Sequence, residues 1–459
     1  MVAALNALAL LVFGGMSLLA VFKRHWTLVL LFCFFGYEQL LSTSMGILAS
    51  KPWLINVSVG LISLTAVGMA LTSGKRPFRG AFNPNSFLVF ALIVFSYLGM
   101  FYGGTQNAGA HFVRTGFPYM VLLLGVLPCL VTGTEVINRM CTPYLLAGCA
   151  LVVMVLLSPR AEFSGSRMYL DLSYTMGAGE KGNPLAIAEI GGIMVIIGAL
   201  MRQTSKSLVI AALRVGGIIL GITICFFSAS RGQLIFSILV AVMFFPVAYQ
   251  IRNAKQFFIR AGMLGTMAAI MLFVAKRFLF SSEASERFSG ESLTSGVDSR
   301  MYYAKTLLGE YFSKPGQYLQ GMGTGSFNLF VEAGSGEGFS YPHNLFVEIL
   351  ADHGLIGFGL LLLIILVSGI HTYKLLRMVH SGIIERHAVA IVLAISGYVT
   401  LISMKQGSYL VLPLPFYAYL ILSKLYYTRI AELADAGEEV YEPEYAEYAD
   451  EEYQSVGAL

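Results

Sequence analysis

Residues 341–365 read Tyr-Pro-His-Asn-Leu-Phe-Val-Glu-Ile-Leu-Ala-Asp-His-Gly-Leu-Ile-Gly-Phe-Gly-Leu-Leu-Leu-Leu-Ile-Ile. Pro342 disfavours helical geometry in the residue before it, whereas the apolar residues after Asn344 have helical spacing. The helix predicted here leads into a purely apolar run. His343 and Asn344 therefore lie where a loop becomes a helix, just before that helix enters apolar surroundings.

Two carboxylates follow within the same predicted helix. Glu348 and Asp352 are four residues apart in the sequence, and this spacing places both on one helix face. A polar cluster at the mouth of a hydrophobic helix is suited to chemistry on a membrane-bound substrate. The side chains that could join it are those that the topology brings to the same side of a membrane.

Apolar segments recur along most of the 459-residue chain, and charged residues make up only 12% of it. Soluble domains carry roughly 25% charged residues. Runs of about 18 or more apolar residues can each cross about 30 Å of hydrocarbon. The sequence therefore predicts an all-α polytopic membrane protein of about 12–14 helices. The candidate spans are 4–22, 28–48, 54–73, 86–103, 115–131, 143–158, 184–201, 208–228, 232–249, 258–275, 354–371, 388–404 and 409–424.

Lysine and arginine residues collect in alternate connections between these spans. The basic connections are those around residues 23–24, 75–79, 139, 202–206, 252–260, 374–386 and 424–429. The short connections between them hold only Lys51, Arg114, Arg231 and Lys405. Because basic residues mark the cytoplasmic side, we expect the N-terminus and the polar loops at 159–182 and 276–343 to face outward.

The pattern divides the chain into four parts. These are an N-terminal transmembrane bundle (1–275), a large outward loop (276–343), C-terminal transmembrane helices (344–430) and an acidic tail (431–459). From Glu432 to Tyr453 the tail holds ten acidic residues, four tyrosines and no Lys or Arg. Such a segment cannot bury a core, so we expect a disordered cytoplasmic extension.

Polar residues stand out on the outward side of this topology. They are Asn183, Arg231, Arg300 and His343, with Arg167 in the loop before Asn183. Taken alone, Arg231 is explained as a snorkelling helix end, and Asn183 and His343 as helix caps. Together, guanidinium groups beside a histidine suit a doubly charged phosphate ester carried by a lipid, because Arg offers bidentate donors and stays charged. The outward sequence shows no cluster with metal-ligand spacing, which favours chemistry without a metal.

An ordered set of short motifs carries a family resemblance. The set comprises Gly182-Asn-Pro-Leu-Ala186, Ser230-Arg-Gly232, Ser299-Arg300 with the helix after it, Gly321-Met-Gly-Thr-Gly325, and His343-Asn344 with Gly354-Leu-Ile-Gly357. Around a long outward loop, this set resembles the bacterial O-antigen ligase/polymerase superfamily. The resemblance is strongest from about Gly182 to Leu361. The Gly-x-Gly-x-Gly within it follows no predicted strand, and we interpret it as a turn.

The resemblance implies a GT-C-type glycosyltransferase of the bacterial inner membrane that works at the periplasmic face. Such enzymes take a glycan from undecaprenyl diphosphate and join it to an acceptor hydroxyl, usually with inversion and without a metal or other cofactor. Carried onto this sequence, the family's arginines correspond to Arg231 and Arg300, which would hold the diphosphate. His343 would act at the reaction centre.

Supporting roles in substrate binding are expected for Asn183, Asn344, Arg167 and Glu348. The sequence does not identify the acceptor. A polymerase would use another lipid-linked glycan, a ligase would use lipid A-core, and an O-oligosaccharyltransferase would use a protein. Of these, the polymerase is slightly preferred. The expected partners are the lipid-linked donor, one of these acceptors and the lipid bilayer, with no nucleic acid.

A transporter or flippase is the alternative from another class. Transporters usually show an internal repeat and ionisable residues near the bilayer midplane. We find no repeat in the sequence, and Glu38 and Glu189 are its only clear intramembrane acids. The two classes also differ in the expected position of the outward loop. In an enzyme it would pack over the arginines as a lid, whereas in a transporter it would extend away from them.

Overall fold

A computed structural model of the chain describes residues 2–43, 53–72, 76–103, 125–164, 167–172, 181–202, 207–249, 290–330, 341–406 and 414–437, with isolated positions between these ranges. The predicted spans at 115–131 and 258–275 lie largely outside the described residues, and so does the tail beyond Gly437. The described chain is helical apart from one short β-hairpin and the connecting turns.

The elements follow one another as a succession of long helices. They are α1 (Val2–Phe22), α2 (Arg24–Ser42), α3 (Trp53–Thr72), α4 (Pro84–Tyr102), α5 (Leu127–Leu130), α6 (Thr134–Leu156), β1 (Ala161–Ser164), β2 (Arg167–Leu170), α7 (Pro184–Leu200), α8 (Leu208–Phe227), α9 (Arg231–Tyr249), α10 (Gly290–Phe312), α11 (Leu345–His380), α12 (Arg386–Gln406) and α13 (Leu414–Asp435). Eight of these, α1, α3, α4, α6, α8, α9, α11 and α12, are long and apolar enough to span a membrane. The prediction of an all-α polytopic membrane protein is confirmed.

Asparagine–proline pairs open two of the helices. Asn83-Pro84 begins α4 and Asn183-Pro184 begins α7. Each asparagine side chain accepts a backbone N–H from the first turn, from Ser86 at 3.2 Å and from Leu185 at 3.0 Å. The proline has no N–H to leave unsatisfied and its fixed φ suits the first turn. These starts are therefore encoded locally.

Helix α7 lies at the centre of the bundle, with almost all of its residues buried. It packs against α6, α8, α9 and α12. Small residues allow close approach: a Cβ added at Gly191 would lie 2.8 Å from the carbonyl oxygen of Gly221. Close backbone contact through glycine is a usual means of helix packing in membranes. The core therefore depends on small residues as well as on bulky apolar ones.

The helix ends gather at two ends of the bundle. One, which we term the loop end, carries the turn at 315–330, where Tyr102 at the end of α4 donates to the carbonyl of Gln320 (2.8 Å). At the opposite end, His387 of α12 contacts the carbonyl of Leu200 (2.9 Å). Connections predicted to be cytoplasmic therefore meet at one end. That this end faces the cytoplasm stays a prediction.

Helix α11 begins at Leu345, as the sequence predicted, and its first turns precede the apolar span expected at 354–371. Two other features differ from the sequence-based expectation. Helix α13 runs from Leu414 to Asp435 and so extends past 430 into the predicted tail, where Asp435 pairs with Arg79 at 2.9 Å. The loop at 159–182 contains the β1–β2 hairpin. The sequence analysis does not predict this hairpin, because its strands are only four residues long.

Cysteine labelling tests the orientation. In a background without the five native cysteines, Ser313→Cys at the loop end should react with an impermeant thiol reagent on cells whose outer membrane is permeabilised. Ser381→Cys at the opposite end should not, because the basic connections around it are expected to be cytoplasmic. Both positions are exposed. The reverse pattern would place the loop end in the cytoplasm.

Candidate active site

Helix α11 starts at a side-chain cap. The Asn344 Oδ1 atom accepts the backbone N–H groups of Phe346 (3.0 Å) and Val347 (3.2 Å). His343 precedes this cap in a left-handed backbone conformation with φ of 59°. The cap is therefore Asn344 and not His343, and the imidazole is left for another role. Substrate binding by Asn344 stays a prediction, since its oxygen serves the helix.

Four basic side chains come together at the loop end, and we refer to them as the cation cluster. Strand β2 supplies Arg167, the first residue of α9 is Arg231, α10 supplies Arg300, and the last turn of α12 supplies Lys405. Lys405 interacts electrostatically with all three arginines, and Arg231 interacts with Arg167. Four segments that are distant in the sequence thus concentrate positive charge in one place.

Lys405 is positioned by close contact with the start of α9. A Cβ added to Gly232 would collide with the Lys405 Nζ atom and lie 2.7 Å from its Cδ. The absence of a side chain at Gly232 leaves room for the end of the lysine side chain beside Arg231. The packing of α9 against α12 along the bundle brings these ends together. A larger residue at position 232 would displace the flexible end of Lys405.

His343 lies between the cation cluster and a group of tyrosines. Its ring centroid is 4.4 Å from that of Tyr341 and 6.5 Å from that of Tyr303. Burial, followed by the positive charges of Arg300 and Arg167, lowers the pKa of His343 to about 4. The imidazole is therefore neutral at physiological pH, the form in which it can accept a proton.

Backbone strain is concentrated beside this site. Among the described residues, Ala229 (φ 49°) and His343 (φ 59°) are the non-glycine residues with positive φ. Ala229 lies just after α8, where the N–H of Ser230 bonds to the carbonyl of Cys225 (2.9 Å), and Arg231 begins α9 two residues later. Strained residues of this kind often lie at functional sites. Ala229 lies two residues before Arg231 of the cation cluster, and His343 is the histidine of the site itself.

Helix α11 is broken at Gly354, where φ is 61° and ψ is −159°. The outward loop fills the break: the N–H groups of Leu355 and Ile356 donate to the carbonyls of Tyr318 (2.8 Å) and Leu319 (3.1 Å). A Cβ at Gly354 would lie 2.5 Å from the Leu319 oxygen, so glycine is required there. The loop and the helix are thus joined through their backbones.

The Asp352 carboxylate holds the adjoining turn in place. It accepts the N–H of Gly325 (2.7 Å), the N–H and hydroxyl of Ser326 (3.0 and 2.6 Å) and the hydroxyl of Tyr409 (2.8 Å). Gly321, Gly323 and Gly325 all have positive φ, which confirms that the Gly-x-Gly-x-Gly segment is a turn. Its first four N–H groups donate to backbone carbonyls, and those of Gly325 and Ser326 donate to the Asp352 carboxylate. The N–H groups of this turn are thus used within the fold.

Glu348 and Asn183 have structural partners as well. Glu348 is fully buried, and its oxygens accept the Ser408 hydroxyl (2.8 Å) and the Tyr409 N–H (3.2 Å). Asn183 is exposed and caps α7, whose first turns adjoin β2. Both lie at the loop end, although the contacts described for them are with the fold. Their roles in substrate binding stay predictions.

The sequence contains a recognised domain in the region that forms this site. A family model described as O-antigen ligase matches residues 216–362. This match supports the resemblance of the chain to the O-antigen ligase/polymerase superfamily. The matched region covers about a third of the chain and includes Arg231, Arg300 and His343. Arg167 and Lys405 lie outside it, so the β1–β2 hairpin and α12 complete the cation cluster around the matched region.

A comparison with curated proteins returned no match. The family match supports a membrane enzyme of the glycosyltransferase kind, for which a lipid-linked glycan and the bilayer are the implied partners. Within the described residues there is no group of three or more His, Cys, Asp or Glu side chains that could hold a metal ion. The cation cluster is the main concentration of charge that we identify at the loop end.

Lys405 was missed by the sequence analysis as a member of the site. It was recorded only as one of the few basic residues in the outward connections, which is the signal that could have identified it. A lysine that remains on the side from which basic residues are otherwise excluded requires a reason. Its position beside Gly232 and among three arginines makes it part of the candidate site.

Replacing Asp352 should loosen the loop. In Asp352→Asn an amide nitrogen takes the place of one acceptor oxygen, so two of the four donors lose their partner. Unsatisfied buried donors cost about 1–3 kcal/mol each, and we expect a fall of roughly 2–5 kcal/mol in unfolding free energy. Thermal unfolding in detergent and limited proteolysis within 290–330 measure the effect. Asp298→Asn, at an exposed position of α10, is the control, and equal behaviour of the two variants would contradict this account.

Proposed function

We propose that the protein is a glycosyltransferase that uses undecaprenyl-diphosphate-linked oligosaccharide at the periplasmic face of the inner membrane. The cation cluster beside a neutral histidine is the observation that carries the proposal. A diphosphate supplies the negative charge that four converging cations require. The superfamily supplies the expectation of a lipid-linked glycan.

The cations would act on the leaving group. As the bond between the anomeric carbon and the diphosphate oxygen breaks, negative charge develops on the diphosphate. Arginines already held in place stabilise that charge most effectively where water is partly excluded. Arg167, Arg231 and Arg300 are all half-buried, which fits this requirement. The positive charge is supplied by side chains, so the proposed mechanism needs no metal.

His343 would act on the acceptor. Its neutral imidazole accepts the proton of the acceptor hydroxyl as the oxygen attacks the anomeric carbon, and the diphosphate leaves from the opposite face with inversion. Proximity of the two bound substrates supplies much of the acceleration. Tyr341, whose pKa is raised by burial and by Glu348, stays protonated and can orient the histidine through their ring contact.

The packing of the loop favours an enzyme over a transporter. The described part of the loop contributes Arg300 to the cation cluster, and its turn is bonded into the break of α11. A loop that packs beside the arginines is the arrangement that we expect of an enzyme. Reconstitution with labelled lipid-linked oligosaccharide tests the choice: a ladder of products indicates a polymerase, single transfer a ligase or protein glycosyltransferase, and translocation without a new bond a flippase.

The arginines should be required for transfer. Arg231→Ala and Arg300→Ala should each lower turnover about 100- to 1000-fold, or about 3–4 kcal/mol, because an electrostatic stabiliser is lost. Lysine at either position should restore only part of the activity, since a point charge cannot make the bidentate contact. Transfer of labelled glycan by the purified variants measures this.

Arg160 provides a matched control. It lies just before the same hairpin as Arg167 but pairs with Asp171 at 3.8 Å. We expect Arg167→Ala to reduce transfer and Arg160→Ala to leave it near normal. Near-normal turnover in Arg231→Ala would show that Arg231 is a snorkelling helix end.

The pH dependence should report His343. With a pKa of about 4 in the free enzyme, the base form is present throughout pH 6 to 8. The kcat/KM value, which reflects ionisations of the free enzyme, should lose its His343-dependent part only as pH falls through about 4 to 5. Loss of activity as pH rises through 6 to 7 would instead show that the imidazolium donates a hydrogen bond.

A conservative variant separates chemistry from folding at this position. Asparagine tolerates positive φ better than most residues, so His343→Asn should fold normally and yet lose roughly 100-fold or more of its activity as a general base is removed. Thermal unfolding is measured alongside transfer. A fully active His343→Asn variant would remove the histidine from the mechanism.

A further inference from the structure

A second basic site lies at the opposite end of the bundle, away from the cation cluster. A cavity of about 540 Å³ opens there between the ends of α1 and α13, the starts of α2 and α6, and the segment before α4. Its basic lining residues are Lys23, Arg24, His25, Arg76, Arg79 and Arg139. The proposed transfer reaction makes no use of this cavity.

The charges around the cavity do not balance. Glu135 and Glu432 also line it, but Glu135 is paired with Arg139, and Glu432 contacts Arg429 at 3.0 Å. Asp435 is shared by Arg76 and Arg79, at 3.0 and 2.9 Å. Lys23 and Arg24 add two further positive charges, and Lys23 and Arg139 both act electrostatically on His25. The cavity therefore offers an excess of positive charge.

Two helix N-termini open into the same cavity. Helix α2 begins after Lys23 and helix α6 after Gly133, and neither of these N-cap residues makes a side-chain capping bond. The helices are 19 and 23 residues long, so both carry a full dipole with its positive end towards the cavity. Backbone N–H groups at a helix start combine with basic side chains to bind phosphate.

An apolar surface leads away from the cavity along α1. Phe22 lines the cavity and is 65% exposed, and Leu18 and Leu11 continue the exposed row at 63% and 72%. Residues 11, 18 and 22 share one helix face by their spacing. A charged cavity that continues into an exposed apolar helix face matches a molecule with an anionic head and hydrocarbon chains.

We propose that this cavity binds the phosphate headgroup of an anionic membrane lipid, with the acyl chains along the exposed face of α1. Basic pockets between helices at the cytoplasmic side are suited to such headgroups. The lipid would join α1 and α2 to α6 and α13, whose ends form the walls. The site is independent of the proposed transfer reaction.

The test uses the delipidated full-length protein with phosphatidylglycerol or phosphatidylcholine as the probe, and bound lipid is counted by native mass spectrometry. Phosphatidylglycerol should bind in preference to phosphatidylcholine. The double variant Lys23→Gln/Arg139→Gln should weaken phosphatidylglycerol binding roughly 30-fold, at about fivefold for each basic residue. The matched control is Arg202→Gln/Arg377→Gln, which removes two charges at the same end outside the cavity and should bind as the unmodified protein does.

Three results would overturn the proposal. Equal loss of phosphatidylglycerol in the two double variants would indicate unspecific attraction to the whole surface. Binding of inorganic phosphate that depends on Lys23 and Arg139, without binding of the lipid, would indicate a soluble anion. Phosphatidylglycerol binding that appears only in a chain ending at Gly437 would indicate that the acidic tail occupies the cavity.

Discussion

The carboxylate of Asp352 is the contact on which the candidate site depends. It receives donors from the loop turn and from Tyr409, and therefore joins three parts of the chain at one buried point. The break at Gly354 lies beside it, where loop carbonyls take the N–H groups that the helix has released. Backbone polar groups at membrane depth must be satisfied within the protein. The loop is thus a structural part of α11, and Arg300 and His343 are held in one frame.

The candidate site within this frame is dominated by positive charge. Like charges brought together at a half-buried site raise the energy of the unliganded protein, and a positive φ at His343 adds to it. Such an arrangement is retained where binding of an anionic ligand offsets this energy. The neutrality of His343 follows first from its burial and then from the same field, since Arg300 and Arg167 oppose a further positive charge. One set of cations would thus prepare both the leaving-group site and the base.

Much of this could be predicted from the sequence, because the signals are local. The Lys/Arg alternation groups the helix ends, the Asn183-Pro184 pair marks a helix start, and the same alternation places Arg231, Arg300 and His343 on one side. Lys405 and the break at Gly354 could not be found in this way. Lys405 reaches the site through the packing of α12 against α9, beside Gly232, and the N–H groups freed at Gly354 find their acceptors in Tyr318 and Leu319 of a distant segment. The sequence placed Asp352 in a polar cluster, but it did not show that its four donors come from the fold.

The last described connection has a consequence for biogenesis. The buried carboxylates of Glu348 and Asp352 receive some of their bonds from Ser408 and Tyr409, which follow α12 and are therefore synthesised after α11. Until these residues are in place, the carboxylates lack some of the partners that offset their desolvation. A chain interrupted before residue 408 would leave this region polar and incompletely packed. Folding around α11 therefore depends on a segment that is synthesised after it.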